Sequence, residues 1–360
     1  MSQQNFVPDK RMWFSEEIAE PDAVFHNVRT APFTIYGLYR PTTEPVFKRI
    51  PDEVSSISDG IAYLYRNTAG GRVRFATDSP YLILRMKTHK VHKFNHMTTL
   101  AGAGFDLYED FADGSSRFVS ALIPPVGMTE GYEKKYTSPD RELHYYTLNF
   151  PLYNDVDELF IGIKEGSTLS EGLPYDGEAP IIYYGSSITQ GGCASRPGLS
   201  YEAIICRRMN RDYLNMGFSG SAKGEPAMAE YLATLPMSAF VCDYDYNAPS
   251  AEHLEATHYP FYEIIRATKP DVPYLMVSRH TAIRSENVDR RRAIIRASYE
   301  KARANGDQNV YFLDGDSFFP DEWRDSCTVD TAHPNDLGFH FMAIGIGNAL
   351  AEILQKKSSK

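Results

Sequence analysis

From residue 179 onward, short apolar runs alternate with amphipathic segments, and this alternation constrains the fold more than any other feature of the chain. The runs at 181–184, 213–216, 239–244, 273–277 and 310–313 read as strands. The segments 200–210, 225–234, 254–268, 287–305 and 336–354 carry apolar residues at helical spacing, as Tyr262, Ile264, Ile265 and Ala267 do. Strands separated by helices pair in parallel, because a parallel pair needs a long crossover to bring the chain back. The pattern predicts an α/β domain with a parallel five-stranded sheet covered on both faces. Ligands of such sheets bind beyond the carboxyl ends of the strands, so the polar residues there are the candidates for function.

The texture before residue 171 is different. Candidate strands at 33–39, 73–76, 81–86, 105–108, 118–123, 143–149 and 158–163 are short and rich in aromatic and β-branched residues. Turn chemistry separates them, as in Thr68-Ala69-Gly70-Gly71, Asp78-Ser79-Pro80, Asp113-Gly114 and Pro124-Pro125. Many short strands with few helical patterns predict an all-β sandwich, jelly-roll-like in type. Segment 164–180, with Gly, Ser, Pro and acidic residues and little periodicity, reads as the connection. A chain of 360 residues exceeds what one core usually holds, so two domains are expected, 1–175 and 176–360.

The formal charge of −10, with no long basic run, argues against nucleic acid or an anionic membrane surface as partner. Residues 1–10 are polar, so no secretory signal is read there. No apolar stretch long enough for a membrane span is read either. Cys193, Cys206, Cys242 and Cys327 contain no CxxC pair and read as free thiols of a reducing compartment, so a cytoplasmic protein is expected.

Four strand ends carry polar residues. The first strand runs into Gly185-Ser186-Ser187-Ile188-Thr189-Gln190-Gly191-Gly192, a small turn that hands over to a helix. The second leads into Asn215-Met216-Gly217-Phe218-Ser219-Gly220, and the third into Asp243-Tyr244-Asp245-Tyr246-Asn247. Beyond the fifth lies Asp330-Thr331-Ala332-His333-Pro334-Asn335-Asp336. Each alone reads equally well as a turn, a tight bend or a cap. Together they hold the parts of a hydrolytic site. A serine hydroxyl needs a base to take its proton, and an imidazole steadied by a carboxylate provides one. Asp330-x-x-His333 sets acid and base on one short turn. The N–H groups of Ser187 and Gly220 and the Asn247 amide are candidate donors to an oxyanion.

These blocks resemble the SGNH (GDSL-type) hydrolase superfamily. Its Gly-Asp-Ser block matches Gly185-Ser186-Ser187, its second-block glycine Gly220, its third-block asparagine Asn247, and its Asp-x-x-His block Asp330 and His333, in the same order along the chain. The resemblance covers roughly 179–354. It implies a flavodoxin-like domain, Ser187 as nucleophile, His333 as base and Asp330 as its orienting acid. It also implies an oxyanion hole of Ser187, Gly220 and Asn247. The first half is similar to the β-sandwich that precedes this domain in a branch containing carbohydrate esterases and some acyltransferases. The substrate so implied is a short-chain ester, acetyl first, of a saccharide or other small polar alcohol, with no cofactor. Three positions depart from the pattern. Ser186 stands for the usual Asp, Asp245 for the usual Gly, and Ala248 where the third block often has Asp. If residues 243–247 extend a strand, Asp243, Asp245 and Asn247 share a face, and a carboxylate there opposes an oxyanion unless it is tied up in hydrogen bonds.

Rival readings are weaker. The Gly185–Gly192 turn lacks the lysine of a phosphate-binding loop. His253 and His258 are five residues apart, not the four that a zinc-binding helix needs. His258 and Arg279 remain candidates for contact with substrate. His89, His92 and His96 stand among lysines without a neighbouring Cys or carboxylate cluster, so no metal ligand set is read, and that segment reads as a loop able to cover the site. Cys193 lies near Ser187 but has no matched acid–base pair of its own.

Overall fold

A computed structural model describes residues 18–177 and 179–358. The polar stretch 1–10 lies outside them. Among the described residues, the first half holds β1 (Ala23–Asn27), β2 (Thr34–Tyr36), β3 (Arg72–Thr77), β4 (Tyr81–Lys87), β5 (Phe105–Asp110), β6 (Ser116–Leu122), β7 (Gly131–Thr137), β8 (His144–Asn149), β9 (Glu158–Lys164) and β10 (Leu169–Glu171). They form two antiparallel sheets, ordered β1-β9-β4-β7 and β10-β3-β8-β5-β6, with β2 also on β3. Alternate residues of the two sheets, such as Val73, Phe75 and Leu148 against Leu82, Leu84 and Ile161, interdigitate as one core. This is the expected sandwich.

Three strands escaped the sequence reading. β7 carries Glu133, Lys134 and Lys135 because it is an edge strand, where charge guards the unpaired side. β1 is the opposite edge. β10 pairs with β3 inside the segment expected to be plain connection.

The second half holds β11 (Ile181–Gly185), β12 (Tyr213–Gly217), β13 (Ala239–Asp243), β14 (Tyr274–Val277) and β15 (Val310–Leu313), all parallel, in the order β12-β11-β13-β14-β15. This is the flavodoxin-like order, with the reversal at β11. The strand period of two sends Ile182 and Tyr184 into one core and Ile181 and Tyr183 into the other. Helices Pro226–Thr234, Ala251–Thr268 and Glu286–Ala304 cover the first face, and Tyr201–Arg208 and Asp336–Ser358 the second. The stretch Asp336–Gln355, with mean hydropathy 1.5, is apolar and long enough to cross a membrane, contrary to the sequence reading. Its Phe339, Met342, Ile346 and Leu350 pack into the core under the sheet.

Polar clamps join sandwich and α/β layer. The buried Arg72 pairs with Asp212 and donates to the Tyr213 carbonyl (3.2 Å). Arg196 pairs with Asp106 (2.7 Å), and Gln190 Nε2 donates to Asn67 Oδ1 (3.3 Å). Arg49 is wholly buried and donates to the carbonyls of Leu64 (2.9 Å), Asn215 (3.3 Å) and Gly217. It thereby ties the first half to the strand end that precedes Gly220.

Candidate active site

β11 ends at Gly185, where a Cβ would lie 2.1 Å from Thr189 Oγ1 and 2.4 Å from the Asp243 carbonyl oxygen, so only glycine lets the turn close. Ser186 caps the short helix Ser187–Gln190, its hydroxyl accepting from the Ile188 N–H (3.1 Å). Serine and aspartate cap equally well, which accounts for Ser186 in place of the usual acid. Ser187 opens that helix, in the first turn, where backbone N–H groups lack intrahelical acceptors.

Ser187 Oγ lies 2.9 Å from His333 Nε2. His333 Nδ1 lies 2.7 Å from Asp330 Oδ2, while Asp330 Oδ1 accepts the N–H groups of Ala332 (3.1 Å) and His333 (2.7 Å). Burial works against the Asp330 charge, but the hydrogen bonds from His333 and Ala332 prevail and hold its carboxyl below the usual range. The site is open to water: Asp330 is 40% and His333 24% exposed. His280, fully buried, supports this loop by donating from Nε2 to the Ala332 carbonyl (2.8 Å), and burial pushes its pKa down to about 3. Its part in the site is not marked by any spacing in the sequence.

Gly220 sits at φ +68, and its N–H has no acceptor among the described residues. Its loop is tied to the serine turn by Phe218 N–H to the Gly185 carbonyl (2.9 Å) and Ser219 N–H to Gln190 Oε1 (3.0 Å). Asn247 Nδ2 donates to the Phe218 carbonyl (2.8 Å), which leaves its second amide hydrogen free for another acceptor.

The third block does not extend the strand. β13 stops at Asp243, and Asp245–Asn247 form a 3-10 turn, so the three side chains do not share a strand face. Asp245 turns inward, fully buried against Arg291 (3.0 Å), and also accepts the Arg279 N–H (3.2 Å). Arg291 Nη atoms further hold the carbonyls of Asp245 (2.8 Å) and Ala248 (2.7 Å). The carboxylate in place of glycine is thus neutralised by a helix residue forty-six positions on. Asp243 remains in the interior, and burial, reinforced by the charge of Asp245, raises its pKa well above the usual range.

The two expected substrate contacts fare differently. Arg279 is half-buried, its guanidinium 3.6 Å from the Tyr246 ring centre at the end of β14. His258 is 2% exposed and stacks on Tyr244, with its pKa pushed down by burial to about 4. It is a core residue of helix Ala251–Thr268, which removes it as a substrate contact. His253 caps the Lys223 carbonyl (2.8 Å).

The sandwich reaches the site as well. Tyr153 donates to the Ser187 carbonyl (3.0 Å), and the His96 ring lies 5.3 Å from that of His333. The loop bearing His96 is organised by Asn154, whose amide bonds Thr88 Oγ1 (3.1 Å), the Lys90 carbonyl (3.1 Å) and the His92 N–H (3.0 Å).

Beneath the serine turn, the wholly buried Glu202 accepts from Asn215 Nδ2, which also donates to the Thr189 carbonyl (2.7 Å). Burial raises its pKa from 4.5 to about 8. Between those values the folded chain keeps a proton that the unfolded chain has lost. Stability therefore falls as pH rises across this window, with the penalty complete above about 8. Glu202→Gln is expected to match wild type at pH 4, exceed it increasingly up to about pH 8 and keep a constant advantage above that, removing a slope of at most about 1.4 kcal/mol per pH unit. Urea unfolding at several pH values checks this; parallel pH profiles for the two proteins would refute it.

The comparisons with known proteins agree with this architecture. Residues 178–350 match the GDSL-like lipase/acylhydrolase family, and residues 23–169 match the N-terminus of SGNH hydrolase-type esterases. No curated protein matches the chain. Among solved structures, a Bacteroides ovatus protein described as a GDSL-like lipase superposes with a TM-score of 0.83 at 28% identity, covering 92% of this chain and 98% of its own. A salicylyl acyltransferase from a tetracycline biosynthetic pathway superposes at 0.76 with 19% identity, covering 93% and 98%. A family two carbohydrate esterase of Clostridium thermocellum, in complex with cellohexaose, superposes at 0.61 with 14% identity, covering 91% and 99%. With matches that run from the sandwich through the parallel sheet, this chain belongs to the SGNH (GDSL-type) hydrolase superfamily.

Proposed function

We propose that this protein is a serine esterase that removes short acyl groups, acetyl first, from a carbohydrate or other polar alcohol. The observation that carries the reading is the continuous chain Ser187 Oγ–His333 Nε2 (2.9 Å) and His333 Nδ1–Asp330 Oδ2 (2.7 Å). In this mechanism His333 takes the Ser187 proton as the oxygen attacks the ester carbonyl. Asp330 fixes the ring with its proton on Nδ1 and stabilises the imidazolium that forms. The Ser187 and Gly220 N–H groups and the Asn247 amide receive the oxyanion. His333 then protonates the leaving alcohol, and a water activated by the same ring releases the acid.

The saccharide part of the reading rests on the shared architecture with the family two carbohydrate esterases and with an acetyl xylan esterase of Butyrivibrio proteoclasticus. The Arg279 guanidinium at the same sheet edge is the candidate for holding a polar substrate group. Transfer of the acyl group to another alcohol uses the same intermediate, and the likeness to a salicylyl acyltransferase keeps it as the second reading. The exposure of Asp330 and His333 favours water as acceptor. A non-catalytic carbohydrate-binding role leaves the ordered Ser-His-Asp chain without purpose. The four unpaired thiols fit the cytoplasm.

A fluorophosphonate probe is expected to label wild type once, at Ser187, as located by peptide mass, and to leave His333→Ala unlabelled. An enzyme that stays unlabelled, or is labelled elsewhere, would remove this proposal.

A further inference from the structure

Among the described residues, the fold brings one set of metal-ligating side chains together from three distant parts of the sequence, and it includes the base His333. His96 comes from the sandwich loop, Cys193 follows the serine turn, and His333 lies near the end of the chain. One ligand atom of each lies within 4.8 Å of the others. We propose that His96, Cys193 and His333 form an inhibitory site for a thiophilic divalent cation, with Zn2+ as the fitting ion. That the occupied site inhibits rests on the esterase reading above; that it binds does not.

The donor set is two imidazoles and one thiol, the set that selects zinc over magnesium or calcium. With metal–sulfur and metal–nitrogen bonds of about 2.3 and about 2.0 Å, tetrahedral neighbours lie about 3.5 Å apart. The cluster therefore needs to contract by at most about 1.3 Å. His96 is exposed, so its side chain has room to turn inward. Its backbone is already docked, the Cys193 thiol lying 3.7 Å from the His96 carbonyl oxygen. Phe94 and Met97, on either side of it, pack against the α/β core.

The ring of His333 is prepared for a metal in the same way as for catalysis. Asp330 engages Nδ1, which leaves the lone pair on Nε2 and reproduces the carboxylate–histidine arrangement that strengthens imidazole ligands. A cation on Nε2 displaces the Ser187 hydroxyl from the base. Before any metal binds, Cys193 carries its proton, because burial, with the charge of Asp330 adding to it, pushes the thiol up to about 12. On binding, the S–H bond breaks, a sulfur–metal bond forms and the proton passes to solvent. No electron is transferred. Ser187 or a water completes the coordination.

Two probes test the site. CoCl2 added to the reduced wild-type protein is expected to give a sulfur-to-cobalt charge-transfer band at one equivalent. Cys193→Ser should lose the band, and His96→Ala should need at least about ten times more cobalt. ZnCl2 is expected to abolish p-nitrophenyl acetate hydrolysis by wild type, with recovery on adding EDTA. His96→Ala and Cys193→Ser should keep basal activity and need at least about ten times more zinc for the same inhibition. Absence of the cobalt band in an active wild-type enzyme would overturn the site. So would zinc inhibition at one and the same concentration in wild type and both variants. A cobalt band in a protein without esterase activity would support the site and count against the esterase reading instead.

Discussion

Ser187→Ala is expected to lower kcat for p-nitrophenyl acetate by about ten-thousand-fold or more while leaving the unfolding transition in place. The alanine removes the atom that forms the acyl-enzyme, and neither neighbouring hydroxyl can replace it. Ser186 is committed to its cap on Ile188 N–H, and Thr189 Oγ1 is bound to Tyr201 (3.2 Å) in the interior. Asp330→Asn is expected to cost a similar factor for a different reason. One oxygen of Asp330 accepts two backbone N–H groups, and the other faces His333 Nδ1. The single oxygen of asparagine belongs on the backbone side, so its NH2 group faces Nδ1. A donor there drives the ring proton to Nε2, and His333 can no longer accept from Ser187. Steady-state rates with circular dichroism as the folding control decide the matter. A Ser187→Ala protein within tenfold of wild type would leave the serine mechanism untenable.

The second large effect is expected in stability. Arg291→Met should destabilise the fold by about 3 to 5 kcal/mol, because it strands the buried Asp245 carboxylate without its cation. Asp245→Asn in the same background removes the stranded charge and should recover much of the loss, so a double-mutant cycle by urea unfolding isolates the pair. Activity should fall in Arg291→Met beyond what unfolding explains, since the same guanidinium holds the carbonyls on both sides of Asn247. Equal stability of wild type and Arg291→Met would show that the pair does not carry the third block.

The pair also marks where sequence reasoning stops. In the sequence, Asp245 is a carboxylate that opposes an oxyanion unless hydrogen bonds tie it up, and nothing nearby in the chain says what would do so. The candidate strand is 239–244, and only its extension through 247 would set Asp243, Asp245 and Asn247 on one face. The chain instead tightens into a 3-10 turn after Asp243, and the acid finds a cation on helix Glu286–Ala304. No local pattern announces a partner at that separation. His258 failed in the opposite direction. A histidine near a strand end looked available, but its place on the inner face of helix Ala251–Thr268 buries it against Tyr244. The edge strand β7 was obscured because its Glu133, Lys134 and Lys135 take charge where central strands take apolar residues.

What the sequence determined by itself was whatever is encoded within one turn or one crossover. The period-two and helical-period runs specify the parallel sheet and its covering helices. The glycine-bounded serine turn and the Asp330–His333 spacing each define a local conformation. What only the tertiary structure decided was which distant groups meet: His333 beside Ser187, Arg291 under Asp245, and His96 with Cys193 over the base. Local hydrogen bonds and side-chain periodicity act over a few residues and leave a signature in the chain. Contacts between elements follow from how whole layers pack, and a lone histidine or arginine carries no mark of the surface it will face.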